Sequence, residues 1–443
     1  MPAAAPKGLM RTVHITSDKI LNDTLRTITL HGSGAQDLAG QDAKLKATQV
    51  IVDAVQKRGD AAIAEFTAKF DGAKLSPKQF EVTDKEIDKA LASIDKALLD
   101  ALKRAHANIK RFHEKNLRQS WRDVDADGSV VGQRITPIES AGVYVPGGKA
   151  FYPSSVLMNI VPARVAGVQE IVMVSPPSYQ GSIHPLVLAA ARIAGATRVF
   201  RVGGAQSIAA LAYGTKTFPI VTKITGPGNS FVTLAKRLVS TVCDIDKEAG
   251  PSEVVVIADA FADPRQVSIE LLAQAEHDEE AVPLCVTTSV VMAERIEAAM
   301  AEEMKTLSRA GIIQKSLAGQ GVMYIVRSLD EAAHLTNVIA PEHLSIQTRK
   351  PDALLDKIPN VGCAILGGGT SVAVGDYYAG PNHILPTGRR ARFSSPLTAE
   401  DFRKVTSIIS YSPSRIKKAA KDIIRLAEAE ELTAHARALE IRK

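Results

Sequence analysis

The stretch Gly142-Val143-Tyr144-Val145-Pro146-Gly147-Gly148 decides the fold that this sequence predicts. It is a short β-branched run that ends in proline and glycine, the pattern of a buried strand followed by a tight turn. Similar runs recur downstream and alternate with segments of helical period; the runs are 170–175, 199–202, 220–224 and 254–258, and the helical segments are 154–166, 184–194, 205–213 and 229–239. Such alternation predicts a parallel sheet with crossover helices.

Three of these runs end in glycine-rich turns, at 146–148, 203–206 and 226–229. In open α/β sheets ligands collect at such turns, because bare backbone amides face an anion there. The sequence contains neither G-x-G-x-x-G nor G-x-x-x-x-G-K-[ST], so no motif by itself identifies a nucleotide-binding protein.

The flanking segments have different patterns. Residues 1–40 are polar and irregular and predict an arm, whereas 42–70 and 84–117 have helical periodicity. Short polar strands are predicted between 123 and 140, and 280–330 has the order strand, helix, strand. The charged segment 397–443 predicts a helical tail that could not build a core alone.

Composition excludes several classes of protein. The net charge of +6 is small for 443 residues, and the basic residues alternate with acids, which is typical of solvated helix faces and not of a nucleic-acid-binding stripe. The three cysteines lack CxxC spacing, which favours a reducing compartment. No apolar run reaches the length of a membrane span. We therefore expect a soluble, cytoplasmic protein that binds neither nucleic acid nor membrane.

A candidate metal site ends the predicted helix 263–277. Asp263 suits the N-cap and Pro264 the first helical turn. Gln274 and His277 stand three residues apart, so their side chains are neighbours that could supply half of a metal site. The alternative is a surface histidine that interacts with the helix end.

Pro341-Glu342-His343 is a candidate acid–base pair. Adjacent side chains diverge on regular backbone, so both can address one ligand only if the chain is irregular there, and the proline favours that. Two bases of different strength suit stepwise proton transfer, and the alternative is an exposed loop pair.

Two further places leave alternatives open. Asp376 is a ligand candidate or an ordinary turn-forming residue in a glycine-bounded loop, which also contains His383. Glu430 and His435 would face about 140° apart on one helix and converge only if that helix breaks, with Thr433 as a possible cap.

Taken together and in order, these motifs resemble the histidinol dehydrogenase family over nearly all of residues 42–443. The segments that carry the resemblance are Gly-Val-Tyr-Val-Pro-Gly-Gly-Lys-Ala (142–150), Tyr-Pro-Ser-Ser-Val-Leu-Met-Asn (152–159), Val-Gly-Gly-Ala-Gln (202–206), Gly-Pro-Gly-Asn (226–229), Ala-Gly-Pro-Ser-Glu (249–253), Gln-Ala-Glu-His (274–277), Ala-Pro-Glu-His-Leu (340–344), Gly-Asp-Tyr (375–377), Asn-His-Ile-Leu-Pro-Thr (382–387) and Leu-Thr-Ala-His (432–435).

The resemblance implies an α/β fold with two Rossmann-like parallel-sheet domains that lack the GxGxxG fingerprint. The first domain would comprise 41–140 and 257–396 and carry the zinc site and catalytic bases, and the second would comprise 141–256 and carry the NAD contacts. An N-terminal arm (1–40) and a small helical C-terminal tail domain (397–443) would complete the chain.

The resemblance also implies the site residues and cofactors. One zinc ion per subunit would be bound by Gln274, His277, Asp376 and His435, and NAD by Tyr144, Gln206 and Asn229. Further implied contacts to the substrate, L-histidinol, come from Ser252 and Glu430 together with His343 and the zinc-binding residues. Glu430 and His435 would serve the neighbouring subunit of a homodimer whose sites are shared.

The implied reaction is the four-electron oxidation of L-histidinol to L-histidine through an enzyme-held aldehyde, with His343 as the base and Glu342 activating water. Departures from the family pattern lie at Arg389-Arg390 and at Ser395-Pro396. Two arginines near the pocket would suit an anionic alcohol, so oxidation of another small polar alcohol, such as a sulfonated diol, is the alternative. A scaffold without catalytic activity is disfavoured because the acid–base pair and the ligand positions are intact.

Overall fold

The computed structural model describes residues 8–31, 38–147, 151–247 and 250–442. Gly148 of the first glycine-rich turn, Ala249 and the arm residues 1–7 and 32–37 therefore lie outside the described residues. The strands are β1 (Arg11–His14), β2 (Trp121–Val124), β3 (Val130–Pro137), β4 (Ser140–Tyr144), β5 (Glu170–Val174), β6 (Arg198–Phe200), β7 (Lys223–Thr225), β8 (Asp244–Ile245), β9 (Glu253–Ala258), β10 (Val282–Thr287), β11 (Val322–Ile325), β12 (His343–Gln347), β13 (Cys363–Leu366) and β14 (Arg403–Ser410). The helices are α1 (Asp18–His31), α2 (Leu38–Arg58), α3 (Asp60–Phe70), α4 (Asp84–Ser93), α5 (Lys96–Lys115), α6 (Pro153–Ala166), α7 (Pro185–Ala194), α8 (Gly204–Tyr213), α9 (Ser230–Val239), α10 (Pro264–Ala275), α11 (Val290–Glu303), α12 (Ala310–Gln320), α13 (Leu329–Ile339), α14 (Pro351–Leu355), α15 (Val372–Tyr377), α16 (Pro413–Ala429) and α17 (Thr433–Glu440).

The larger sheet is parallel and has the strand order β1-β11-β10-β9-β12-β13. Its central strands are fully buried runs of β-branched residues, as expected of a parallel sheet covered on both faces. Helix α10 follows β9 along the chain. Its N-cap, Asp263, accepts a hydrogen bond of 2.8 Å from the backbone N–H of Arg265. The helix then returns along the sheet, so that its last turn lies at the amino edge of the strands.

The smaller sheet is also parallel, with the order β6-β5-β4-β7-β8. The strand order reverses between β4 and β7, which is the position where open α/β sheets bind ligands. Helices α6 and α7 cover one face together with α5, and α2, α3, α8 and α9 cover the other. The alternation of strands and helices predicted for this part of the chain is confirmed.

The third sheet is antiparallel and joins distant parts of the chain in the order β14-β3-β2. Arg403 pairs with Pro137 and Ser410 with Val130. The prediction of a helical C-terminal tail is therefore wrong for 403–410. Its β-branched run pairs with β3, and the helical part begins only at Pro413.

Three other expectations differ from the structure. Residues 11–14 form the edge strand of the larger sheet and Leu25 and Ile28 of α1 are buried against it, so 8–31 belong to the core and not to a loose arm. Helices α2 and α3 pack against the smaller sheet, although 41–140 was assigned to the same domain as the larger one. The run 254–258 is a central strand of the larger sheet, because Val254 pairs with both β10 and β12.

Among the described residues, no helix is long and apolar enough to cross a membrane.

Candidate active site

Glu342 and His343 are buried side by side where α13 gives way to β12. Ala340 ends the helix in a left-handed conformation, with φ of 48°, and Pro341 follows it. This irregular backbone allows the two neighbouring side chains to approach each other, with 3.8 Å between Glu342 Oε2 and His343 Nδ1. The expectation of an irregular turn is confirmed, and the alternative of an exposed loop pair is wrong.

The pair lies at the amino edge of the larger sheet, because His343 is the first residue of β12 and pairs with Val254 of β9. Backbone N–H groups point outward at this edge, and that of Glu253 donates a hydrogen bond of 2.8 Å to Glu342 Oε2. The hydroxyl of Ser252 donates a second hydrogen bond to the same carboxylate. Ser252, predicted as a substrate contact, is thereby placed beside the acid–base pair.

Asp376 reaches the pair from the short helix α15. Its Oδ1 lies 3.2 Å from His343 Nε2. The helix is fixed at its start, where the backbone N–H of Val372 donates a hydrogen bond of 2.9 Å to the buried carboxylate of Glu270. Asp376 thus lies on a helix beside the acid–base pair and is not the turn-forming residue of the alternative.

Gln274 lies in the last turn of α10, and His277 follows two residues after the helix ends. Gln274 is buried, and its amide nitrogen has no hydrogen-bond partner among the described residues. Burial lowers the pKa of His277, although the nearby carboxylate of Asp376 opposes this effect. The same histidine interacts electrostatically with His343, so α10, α15 and the start of β12 present their side chains to one space.

The acid–base pair is strongly coupled electrostatically. Burial raises the pKa of Glu342 to about 7, against the opposing effect of His343. Burial by itself would lower the pKa of His343, but the carboxylates of Glu342 and Asp376 outweigh it and raise that pKa to about 9. Asp376 has a lowered pKa: its burial acts in the opposite direction and is outweighed by the hydrogen bond to His343. Three groups with such different proton affinities can hold and pass a proton near neutral pH.

The donor set suits a divalent cation, although one subunit does not complete a site. Gln274, His277 and Asp376 offer an amide, an imidazole and a carboxylate, a mixed N/O set of the kind that zinc accepts. A neutral imidazole and an ionised carboxylate are the forms that bind metal, and the lowered pKa values of His277 and Asp376 favour both. Within the described residues, no three His, Cys, Asp or Glu side chains group to hold a metal.

The two predicted site residues of the C-terminal segment are not brought to this cluster. Glu430 ends α16 and His435 lies in α17, and both side chains are exposed. The helix does break between Glu430 and His435, which is what their convergence would require. The prediction of Thr433 as the cap is wrong, because Leu432 is the N-cap and Thr433 the first helical residue.

The sequence patterns predicted no role for His383 or Ser155, yet both lie next to this cluster. His383 Nδ1 lies 2.9 Å from the backbone oxygen of Asp376, and its Nε2 lies 3.2 Å from Ser155 Oγ. Ser155 belongs to the first turn of α6. Through these contacts the amino edge of the larger sheet meets the carboxyl edge of the smaller one.

The predicted cofactor residues lie at that carboxyl edge. The backbone N–H of Gly204 donates a hydrogen bond of 3.4 Å to the hydroxyl of buried Tyr144. A Cβ at Gly204 would lie 2.6 Å from the side-chain oxygen of Gln206, so the three residues form one tight cluster. Asn229 is the N-cap of α9, where its side-chain oxygen accepts hydrogen bonds from the backbone of Phe231 and Val232.

Arg389 does not face the site. Its guanidinium donates to the backbone oxygens of Val338, Ile28 and Thr29, at the ends of α13 and α1. The alternative of an anionic substrate rests on two arginines near the pocket. Arg389 does not support it, because its side chain holds two helix ends, whereas Arg390 acts electrostatically on Glu253, whose backbone N–H contacts Glu342.

Comparison with known proteins identifies the family of the chain. The family model described as histidinol dehydrogenase matches residues 36–443. The chain is 49% identical to histidinol dehydrogenase of Heliobacterium mobile, over 88% of this chain and 92% of that one. It is 48% identical to that of Bacillus licheniformis, over 91% and 94%. The crystal structure of histidinol dehydrogenase from Elizabethkingia anophelis superimposes with a TM-score of 0.90 at 31% identity and covers 99% of this chain and 98% of that one. The chain therefore belongs to the histidinol dehydrogenase family.

Proposed function

We propose that the protein oxidises L-histidinol to L-histidine with two molecules of NAD+, as the last part of histidine synthesis. The observation that carries the proposal is the buried group of Glu342, His343 and Asp376 beside His277, joined through His383 to Ser155 in the first turn of α6. A scaffold protein would gain nothing from burying two bases in contact with each other. The three relatives reported above bear the name of the same enzyme, which does not favour another alcohol as substrate.

In the proposed mechanism His343 is the base in both oxidations. Its Nε2 faces Asp376 and the space between the helices, whereas its Nδ1 faces Glu342, so Nε2 is the atom that accepts the hydroxyl proton. Glu342 then accepts a proton from the water that attacks the aldehyde, with Ser252 and the backbone of Glu253 holding its carboxylate in place. His343 accepts the second hydroxyl proton as the hydrated aldehyde is oxidised. Burial of both residues keeps bulk water away from the reactive aldehyde.

A zinc ion would be held by Gln274, His277 and Asp376 of one subunit and by His435 of a second subunit in a homodimer. Bound there, the cation would orient the amine and imidazole of the substrate, and its charge on Asp376 would bring the pKa of His343 down towards the range of a base. The exposed positions of Glu430 and His435 support a role in a neighbouring site, where Glu430 would pair with the substrate's amino group.

The test is an assay of the purified protein with L-histidinol, excess NAD+ and zinc. Two NADH and one L-histidine should form for each L-histidinol consumed. Formation of a single NADH with release of the aldehyde would contradict the four-electron reaction. Turnover of an anionic diol in place of L-histidinol would favour the alternative substrate.

A further inference from the structure

A carboxylate that the proposed mechanism does not use lies at the end of α3. It faces the cluster formed by Gly204 and the predicted cofactor residues Tyr144 and Gln206. Asp71 is the C-cap of this helix, and its Oδ2 accepts a hydrogen bond of 3.5 Å from Nε2 of Gln206. An ionised carboxylate only accepts hydrogen bonds, so this contact fixes the orientation of the Gln206 amide. The carboxylate also acts on the hydroxyl of Tyr144, where it adds to the rise in pKa that burial causes.

The position of Asp71 is not explained by the stability of its own helix. A negative charge at the C-terminal end of a helix opposes the helix dipole. The side chain is half-buried, and in the described part of the chain no Lys or Arg forms an ion pair with it. Burial raises the pKa of Asp71 to about 6, which leaves the carboxylate ionised at neutral pH.

A second observation points to a polar ligand at this cluster. The side-chain oxygen of Gln206 is buried and has no hydrogen-bond partner among the described residues. A buried amide oxygen without a partner is unfavourable unless a ligand supplies the missing donor. Asp71 and Gln206 thus offer two adjacent acceptors, which match the two hydroxyl donors of a ribose.

The topology indicates which end of a dinucleotide would reach Asp71. The catalytic residues contact the smaller sheet through Ser155 of α6, on the face that α6 and α7 cover. Asp71 ends α3, which packs with α8 on the opposite face. A dinucleotide with its nicotinamide beside His343 would therefore extend across the carboxyl edge of the sheet and place its adenosine half at Asp71.

We propose that Asp71 binds the hydroxyls of the adenosine ribose and selects NAD+ against NADP+. The carboxylate would accept the 2′-hydroxyl hydrogen bond of NAD+ and repel the 2′-phosphate of NADP+, and an acidic residue plays the corresponding part in other dinucleotide sites. This inference rests on the proposed use of NAD+ and names a residue that determines the choice of cofactor.

The experiment is a calorimetric titration of the full-length protein with NAD+, NADP+ and NAD+ lacking the adenosine 2′-hydroxyl, without substrate. The wild-type protein should bind each of the two altered dinucleotides at least about tenfold more weakly than NAD+, the loss expected for one charge-assisted hydrogen bond. Equal affinity for NAD+ and its 2′-deoxy form would overturn the proposal without any variant.

Variants separate charge from hydrogen bonding. Asp71→Asn should reduce the preference for NAD+ over NADP+ by about tenfold, whereas Asp71→Glu, which retains the charge, should still reject NADP+. Asp84→Asn is the matched control, because it removes an exposed carboxylate that pairs with Arg192 away from the cluster. Unchanged discrimination in Asp71→Asn would count against the proposal. Because no substrate is present, a failure to oxidise L-histidinol with discrimination intact would contradict only the proposed function.

Discussion

His343 Nε2 lies 3.2 Å from Oδ1 of Asp376, so the proposed base is hydrogen-bonded to a proposed metal ligand. This contact holds a proton on the imidazole, because the carboxylate stabilises its charged form. A cation bound to Asp376 would weaken the effect of this carboxylate on His343, so that the imidazole could lose its proton and act as a base. The relationship therefore links metal binding to proton transfer.

Replacing His343 by Asn should abolish both oxidations. The variant keeps a polar side chain of similar reach but has no group that accepts a proton, so we expect the rate to fall by about 10²–10⁴. The measurement is NADH formation from L-histidinol and, separately, from L-histidinal. Normal oxidation of either substrate would contradict the assignment of one base to both steps.

Replacing Glu342 by Gln should mainly slow oxidation of the aldehyde. The amide retains the shape of the side chain and leaves His343 in place, but it cannot accept a proton from water. Single-turnover assays that start from L-histidinol and from L-histidinal separate the two steps. Equal losses in both would show that Glu342 does not act specifically on the hydration step.

The aldehyde step should depend on pH through Glu342. Its pKa is raised to about 7, so the carboxyl is protonated and inactive below that value and becomes a base above it. The rate of L-histidinal oxidation should therefore rise with pH through about 7, and the deprotonation of His343, whose pKa is higher, should add a separate rise above that. The residual activity of Glu342→Gln should lack the first of these rises, and a profile that matches the wild type would place the titrating group elsewhere.

Mixing two inactive variants should restore activity if the sites are shared between subunits. His343→Asn and His435→Asn subunits, co-expressed with different tags, form mixed dimers in which one of the two sites is complete. Random pairing makes half of the dimers mixed, so about a quarter of wild-type activity is expected. Each variant expressed alone is the control. No recovery in purified mixed dimers would show that His435 serves its own subunit.

The turn that carries Asn229 should depend on a buried ion pair. The side chains of Lys236 and Asp246 are almost completely buried and contact each other. Lys236 Nζ donates a hydrogen bond of 3.1 Å to the backbone oxygen of Gly226, and the N–H of Gly226 donates one of 2.7 Å to Asp246 Oδ2. Lys236→Met leaves Asp246 buried without its cation, so we expect a loss of about 3–5 kcal/mol in the free energy of unfolding. Denaturant titration measures it. Lys305→Met, which breaks an exposed pair, should leave stability nearly unchanged, and similar losses in both variants would contradict the role of burial.

The smaller sheet could be predicted because its signal is local. Each strand, turn and helix from 142 to 239 is adjacent in sequence and carries its own pattern of β-branched residues, glycine and small residues. The acid–base pair could also be predicted from local sequence, since Pro341 indicates the irregular backbone that brings Glu342 and His343 together.

The features that were missed depend on distant partners. The strands β1 and β14 are short or largely exposed, so their hydrophobic pattern is weak, and they exist because they pair with β11 and β3. Asp71 stands in an unremarkable sequence context, and His383 lies in a recognisable motif that does not by itself indicate its partner. Their positions become informative only when the fold places them against Ser155 and Gln206, far away in the chain.

The pairing of Arg11 with Val322 also bears on how the chain assembles during its synthesis. On the ribosome β1 must wait for its partner β11 to be synthesised, whereas β4 to β8 come from one continuous stretch and can associate as they emerge. Parallel pairing between distant segments is slow, because a long loop must be closed before any contact forms. The half that would carry the dinucleotide is therefore expected to fold first, with the half that carries Glu342 and His343 completed against it afterwards.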